Sequence, residues 1–204
     1  AITPEIKAAF GAMDGVVAIS TTRQVETSDS YSVIAYDLPT PAWAGFEWIE
    51  QPSRADDSLD HRLAFENGQG VLISQPLANR LKLQAGERID LQTPTGAKPL
   101  PILGIYRDYA SERGTLAISA TLHRALWSET DFDSLGIYTS GIDIALIDRV
   151  ASTLLDDYQL TTPSDIQTQT LAVFDQTFRI SWALAWLVGM IASIALISAL
   201  MAMG

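Results

Sequence analysis

Apolar and polar positions follow three rhythms along this chain, and the clearest is an unbroken apolar run. From Ile180 to Gly204 there is no Asp, Glu, Lys, Arg or His. At the helical rise, residues 182–203 reach about 33 Å, enough to cross the hydrocarbon core of a bilayer. The pattern predicts a transmembrane helix over 182–203, entered from a polar stalk helix that begins near Ser164. Trp182 and Trp186 stand at its start, where indole rings favour the headgroup level, and mark the membrane interface. Ala185, Gly189 and Ser193 recur at helical spacing and offer a small-residue face to another membrane helix. In the stalk, Leu171, Phe174 and Phe178 share one face and form a helix coupling face; with no Pro after Pro163, the stalk and span read as one stiff rod.

Before that run, short period-2 strands mix with short period-3.6 helices. Residues 4–13 read as a helix with Thr3 at its N-cap and Pro4 at its first position. Residues 16–25 and 31–38 read as strands of a β-hairpin across a turn-rich break. Residues 39–69, rich in Pro and Asp, read as a long connection with at most one helical turn, anchored by Trp43, Phe46 and Trp48. Then follow a buried strand 71–74, a helix opened by Pro76, a strand 88–93, and a strand 98–109 whose Pro99 and Pro101 predict a sheet edge. A strand 114–119, a helix 120–127, a strand 135–139, an amphipathic helix 143–158 and a short strand 159–161 complete the order. No internal repeat stands out. Such mixing predicts an α+β domain over 1–163, followed by the helical segment 164–204.

Charge narrows the partners. The net charge is -11 and the pI about 4.4, which argues against nucleic acid and anionic membrane surfaces, since both need a basic patch. Cysteine is absent, so disulfides and thiolate chemistry do not arise. Asp148, Asp156, Asp157, Asp165 and Asp175 outnumber Arg149 and Arg179 ahead of the apolar run, which fits the non-cytoplasmic side. A chain that opens on Ala1 and closes within an apolar run is expected to be a segment of a longer protein.

Reactive groups are sparse. Asp56, Asp57, Asp60 and His61 cluster in sequence but lack the ligand alternation of a calcium loop and the Cys/His set of a zinc site. His123 has only the distant His61 for company. Ser74 lies between a strand and a helix, yet Ile73 and Gln75 replace the small neighbours that a nucleophile elbow needs. Gly68 and Gly70 lack the third glycine of a dinucleotide loop, and no phosphate loop occurs. Asp56/Asp57 and Asp156/Asp157 are adjacent pairs whose side chains diverge. The expectation is a protein that is not an enzyme and holds no cofactor or metal. Trp43, Phe46 and Trp48 are candidate partner contacts; the competing reading is that they plug a gap between lobes.

Three segments carry a resemblance. Residues 70–96 run from a strand ending in Ser74 through a helix to the Gly86–Glu87 step that opens the next strand. In 103–109 an Ile102-x-Gly104-Ile105 strand follows, and Phe174, Asp175, Gln176, Thr177 and Phe178 stand just before the apolar run. In order and spacing these segments resemble the FtsX-like, MacB-type permease family of ABC transporters. Asp108–Tyr109 followed by Glu112, Arg113 and Gly114 is similar to the second extracytoplasmic domain of its large members. The resemblance implies a periplasmic domain with a porter-like lobe and an inserted second lobe over about 40–110, set in the cell inner membrane. The implied partners are a separate ABC ATPase subunit, other permease helices or a second permease copy, and a periplasmic lipoprotein or adaptor. The implied role is coupling of ATP hydrolysis to lipoprotein or lipid release, efflux or mechanotransmission, with no catalytic residue to carry over. A receptor sensor domain and a membrane-anchored enzyme are the competing classes.

Overall fold

The computed structural model describes residues 2–28, 31–50, 58–108 and 112–162, with 186–188 and 191. The chain divides into two compact units, Ala1–Asp156 and Asp157–Gly204. In the first, eight strands form one sheet in the order β3-β6-β4-β7-β2-β1-β8, with β5 paired to β6 beside this path. The elements are α1 (Pro4–Gly11), β1 (Val16–Ser28), β2 (Tyr31–Asp37), α2 (Thr40–Trp43), β3 (Trp48–Glu50), α3 (Ser58–Glu66), β4 (Val71–Ser74), α4 (Gln75–Leu81), β5 (Arg88–Thr93), β6 (Gly96–Tyr106), β7 (Thr115–Ser119), α5 (Ala120–Trp127), β8 (Ser134–Thr139) and α6 (Ile144–Leu154). Mixed parallel and antiparallel pairing with helices interspersed makes the domain α+β, as the alternating rhythms predict.

The centre of the sheet is β4 against β7, antiparallel, with Leu72 opposite Ala117 and Ile73 opposite Leu116. Outside β4 lies β6, parallel to it, and outside β7 lies β2, also parallel. Both central strands are buried along their whole length, which is why they read as continuous apolar runs rather than alternating ones. One face of the sheet carries Val33, Ile73, Leu116 and Ile118, covered by Leu77 and Ala78 of α4 and Leu122 of α5. The other carries Leu72, Tyr106 and Ala117, covered by Ala42 of α2 and Phe65 of α3. Alternation along each strand feeds two separate cores.

The two central strand-helix units lock onto each other through glycines. Gly114, just before β7, holds φ +83, and a Cβ there would lie 2.6 Å from both the backbone nitrogen and the Cβ of Leu77 in α4. Gly68, just before β4, holds φ +70, and a Cβ there would meet the Leu122 Cβ of α5 at 3.1 Å. Each entry loop thus passes over the first turn of the other unit's helix, where only glycine tolerates both the space and the backbone. Thr115 N–H adds a hydrogen bond of 2.7 Å to Ser74 Oγ.

Several expectations are corrected. Residues 58–66, read as loop, form α3; its anchors are Phe65, 1% exposed, and the Arg62–Glu66 pair one turn apart. The strand expected over 98–109 ends at Tyr106 and is not an edge: it pairs with β3, β4 and β5. Its prolines still obey the ladder rule, because Pro99 and Pro101 lie in the part that pairs with β5, before the β4 partners begin at Ile102. The helix expected over 143–158 stops at Leu154, and Leu155 is extended. Asp156 and Asp157 follow there, at the end of a helix where the dipole disfavours carboxylates. Residues 159–161 pair with no strand among the described residues and are exposed.

Candidate contact surface

Trp43, Phe46 and Trp48 come from α2, the following turn and β3, and meet over the second core. Trp43 and Trp48 stack at 6.3 Å between centroids, Phe46 and Trp48 at 5.7 Å, and Trp43 meets Phe65 edge-on at 5.5 Å. Tyr106 closes the base against Phe46 at 5.1 Å. Their placement follows from local chemistry. Pro41 lies in the first turn of α2, Trp43 Nε1 donates to Leu38 O at 3.2 Å, and Gly104 leaves room on β6 for the Trp48 ring. All three rings keep part of their surface in solvent, beside the more exposed Ile49 and Leu63. Arg62 lies 5.4 Å above the Trp43 ring while binding Glu66 and the Thr40 hydroxyl, and Arg107 pairs with Glu47. The patch is therefore aromatic at its centre and charged at its rim, the composition of a contact surface. Burial raises the pKa of Tyr36 and, further, that of Tyr106, with Asp108 adding to both.

The opposite core borders a polar cleft of about 720 Å³, lined by Arg23, Gln24, Val25, Pro94, Trp127, Glu129 and Asp133. Arg23 bridges Asp133 at 2.7 Å and Glu129 at 3.1 Å, and Gln24 N–H donates to the second Asp133 oxygen. Next to it His123 is buried and stacked on Trp127. Burial lowers the His123 pKa, Arg23 and Arg124 pushing the same way and Glu129 and Asp133 opposing. Nothing in the sequence marked this cleft, because its residues come from four separate stretches.

Ser74 is fully buried, its Oγ occupied by Thr115 N–H. Asp56 and Asp57 lie outside the described residues, and among the described residues no group of His, Asp and Glu converges as a metal site. Of the helix residues singled out, Leu171, Phe174, Phe178 and Trp182 lie outside the described residues. Trp186 is helical and 65% exposed. Among the described residues no helix is long and apolar enough to cross a membrane; the 182–203 span falls almost wholly outside them.

The fold matches the periplasmic region of MacB from Actinobacillus actinomycetemcomitans with a TM-score of 0.58, over 84% of this chain and 83% of that one, at 10% identity. It also matches the extracellular domain of YknZ, a noncanonic ABC-type transporter from Gram-positive bacteria, with a TM-score of 0.51 over 74% and 78% of the two chains, at 12% identity. No protein-family model matches the chain. In sequence it is 30% identical over 163 residues to an uncharacterised ABC transporter permease protein of Mycobacterium tuberculosis. That match takes in 78% of this chain and 18% of the permease. In fold the chain is a MacB-type domain, and in sequence it is related to part of an ABC transporter permease.

Proposed function

We propose that the chain serves, on the outer side of the cytoplasmic membrane, as the part of a permease subunit that couples ATP hydrolysis by a separate ATPase to work outside the cell. The observation that carries this reading is the 30% identity to an ABC transporter permease over 163 residues, 78% of this chain. The work is lipoprotein or lipid release, efflux, or mechanical control of a periplasmic partner. The domain transmits force and performs no bond chemistry. Support for the latter comes from Ser74, whose hydroxyl is engaged in holding the Thr115 loop. The aromatic patch of Trp43, Phe46 and Trp48, with its charged rim, serves as the docking surface for a periplasmic lipoprotein or adaptor. Movement reaches the domain through the helix carrying Leu171, Phe174 and Phe178, which the sequence predicts to be an uninterrupted rod.

The test uses the full-length permease in nanodiscs with an ABC ATPase subunit from the same organism. Copurification of the ATPase, and a change in hydrogen exchange within 1–156 on trapping nucleotide with vanadate, are expected. The double variant Phe174→Gly with Thr177→Pro should keep the ATPase and lose the response, since a proline inside a helix costs about 3 kcal/mol and breaks the rod. A permease that binds no ATPase, or a domain whose exchange ignores nucleotide, overturns the proposal.

A further inference from the structure

His123 sits where an imidazole tolerates only one of its charge states. It is 4% exposed, and among the described residues its Nε2 has no hydrogen-bond partner. Its ring lies 5.3 Å from the ring of Trp127, one helical turn on, with the planes 17° apart. Trp127 in turn forms a wall of the cleft that Arg23, Glu129 and Asp133 line. The charges that bear on His123 are Arg124 on its own helix, Arg23 from β1, and Glu129 and Asp133 from the loop between α5 and β8.

A neutral imidazole leaves a lone pair or one N–H unpaired in this position, a modest loss. An imidazolium carries an N–H on both nitrogens, so Nε2–H would be buried, charged and without an acceptor. The indole face attracts a cation, but that attraction is smaller than the cost of stranding an ionic donor. Among the described residues the carboxylates that bear on the ring are Glu129 and Asp133, and the charged ring reaches them or water by leaving the Trp127 ring.

We propose that His123 and Trp127 form an acid-released latch on the cleft: the neutral imidazole holds the indole docked as a wall, and the imidazolium turns outward and frees it. The sign follows from burial, which holds the closed-state pKa of His123 below the ordinary value. In the open state the ring titrates near the ordinary value of about 6.5. The closed form therefore keeps its full advantage above about pH 6.5, loses it as pH falls toward the lowered value, and changes no further below that. Inside this window one proton is linked to opening, so the open fraction rises by up to about tenfold per pH unit.

The experiment is hydrogen exchange on the full chain at about pH 7.5 and 5.5, corrected for intrinsic rates, read over residues 120–134. Wild type should lose protection there at the lower pH, by up to about tenfold. His123→Phe, which keeps a flat ring on Trp127 and cannot titrate, should show no such loss. His61→Gln should follow wild type. Equal loss in wild type and His123→Phe, or none in wild type, overturns the latch. Should His123→Phe fail to fold by circular dichroism, the wild-type imidazole resonances decide, since His61 and His123 are the chain's two histidines. The His123 midpoint should coincide with the loss of protection over 120–134; titration of His123 with that protection unchanged overturns the latch.

Discussion

β4–α4 and β7–α5 are two versions of one unit, set side by side at the middle of the sheet. Ile73, Ser74, Leu77 and Leu81 in the first recur at the same spacing as Ile118, Ser119, Leu122 and Leu126 in the second. Each unit has a parallel strand outside it, each helix covers the same face, and each entry loop presents a positive-φ glycine to the other's leucine. They differ in what the serine does. Ser119 Oγ accepts from Leu122 N–H at 3.1 Å and caps its own helix. Ser74 gives its own helix no side-chain cap; its Oγ accepts from Thr115 N–H in the other unit. The reason lies in α4's first turn, where Pro76 has no N–H and the Leu77 nitrogen faces the space that a Cβ on Gly114 would fill, 2.6 Å away. One helix is thus capped from within and the other clamped from outside.

The sharpest way to break this arrangement is to fill the clamp. Gly114→Ala sets a Cβ 2.6 Å from Leu77 backbone and side chain at a φ of +83, combining overpacking with a left-handed strain. A loss of about 3 kcal/mol or more is expected, read as the urea midpoint. Gly68→Ala meets Leu122 at 3.1 Å, so Leu122 needs to give only slightly; φ +70 remains unfavourable. About 1–2 kcal/mol is expected for it. Equal effects would show that the two loops are clamped alike.

The serines come next. Ser74→Ala leaves the buried Thr115 N–H without its acceptor, which should cost about 1–3 kcal/mol. Ser119→Ala removes an N-cap and should cost about 1 kcal/mol. The two also differ in place: hydrogen exchange should quicken at Thr115 in the first and at the start of α5 in the second. Exchange confined to α4 in Ser74→Ala would contradict the division of labour.

These units were also the most legible part of the chain. Ser74 with Pro76, and Ser119 ahead of a 3.6-period stripe, are local signals, and both helices fall where the pattern puts them. Their kinship was hidden because few positions repeat, and because the symmetry resides in strand pairing that no local pattern encodes. Helix α3 was missed for a related reason. Leu63 is 48% exposed and Phe65 is the anchor, so the helix follows no apolar stripe and depends on the aromatic cluster it meets. Trp43, Phe46 and Trp48 stand out by composition and do come together; the cleft beside His123 had no such signal, since Arg23 and Asp133 join only through β1 and the entry to β8.

The smallest effects lie at the far ends of the same two helices and run the other way. Lys82 ends α4 at φ 56 and Ser128 ends α5 at φ 60, both left-handed and both non-glycine. The conformation closes the helices: the N–H groups of Lys82 and Leu83 return to Ala78 O, and Ser128 N–H to Arg124 O. A side chain there carries roughly 1–2 kcal/mol of backbone strain, which glycine lacks. Glycine also gives the unfolded chain more freedom, offsetting about 0.4–1 kcal/mol of that relief. Lys82→Gly and Ser128→Gly should each stabilise the domain by about 0.5 kcal/mol, a small rise in the thermal midpoint. Because both helices end alike, the two gains should be equal and additive. A gain at Lys82 without one at Ser128 would show that the Ser128 turn is held by the Glu129–Arg23 bridge beside it rather than by its own backbone preference.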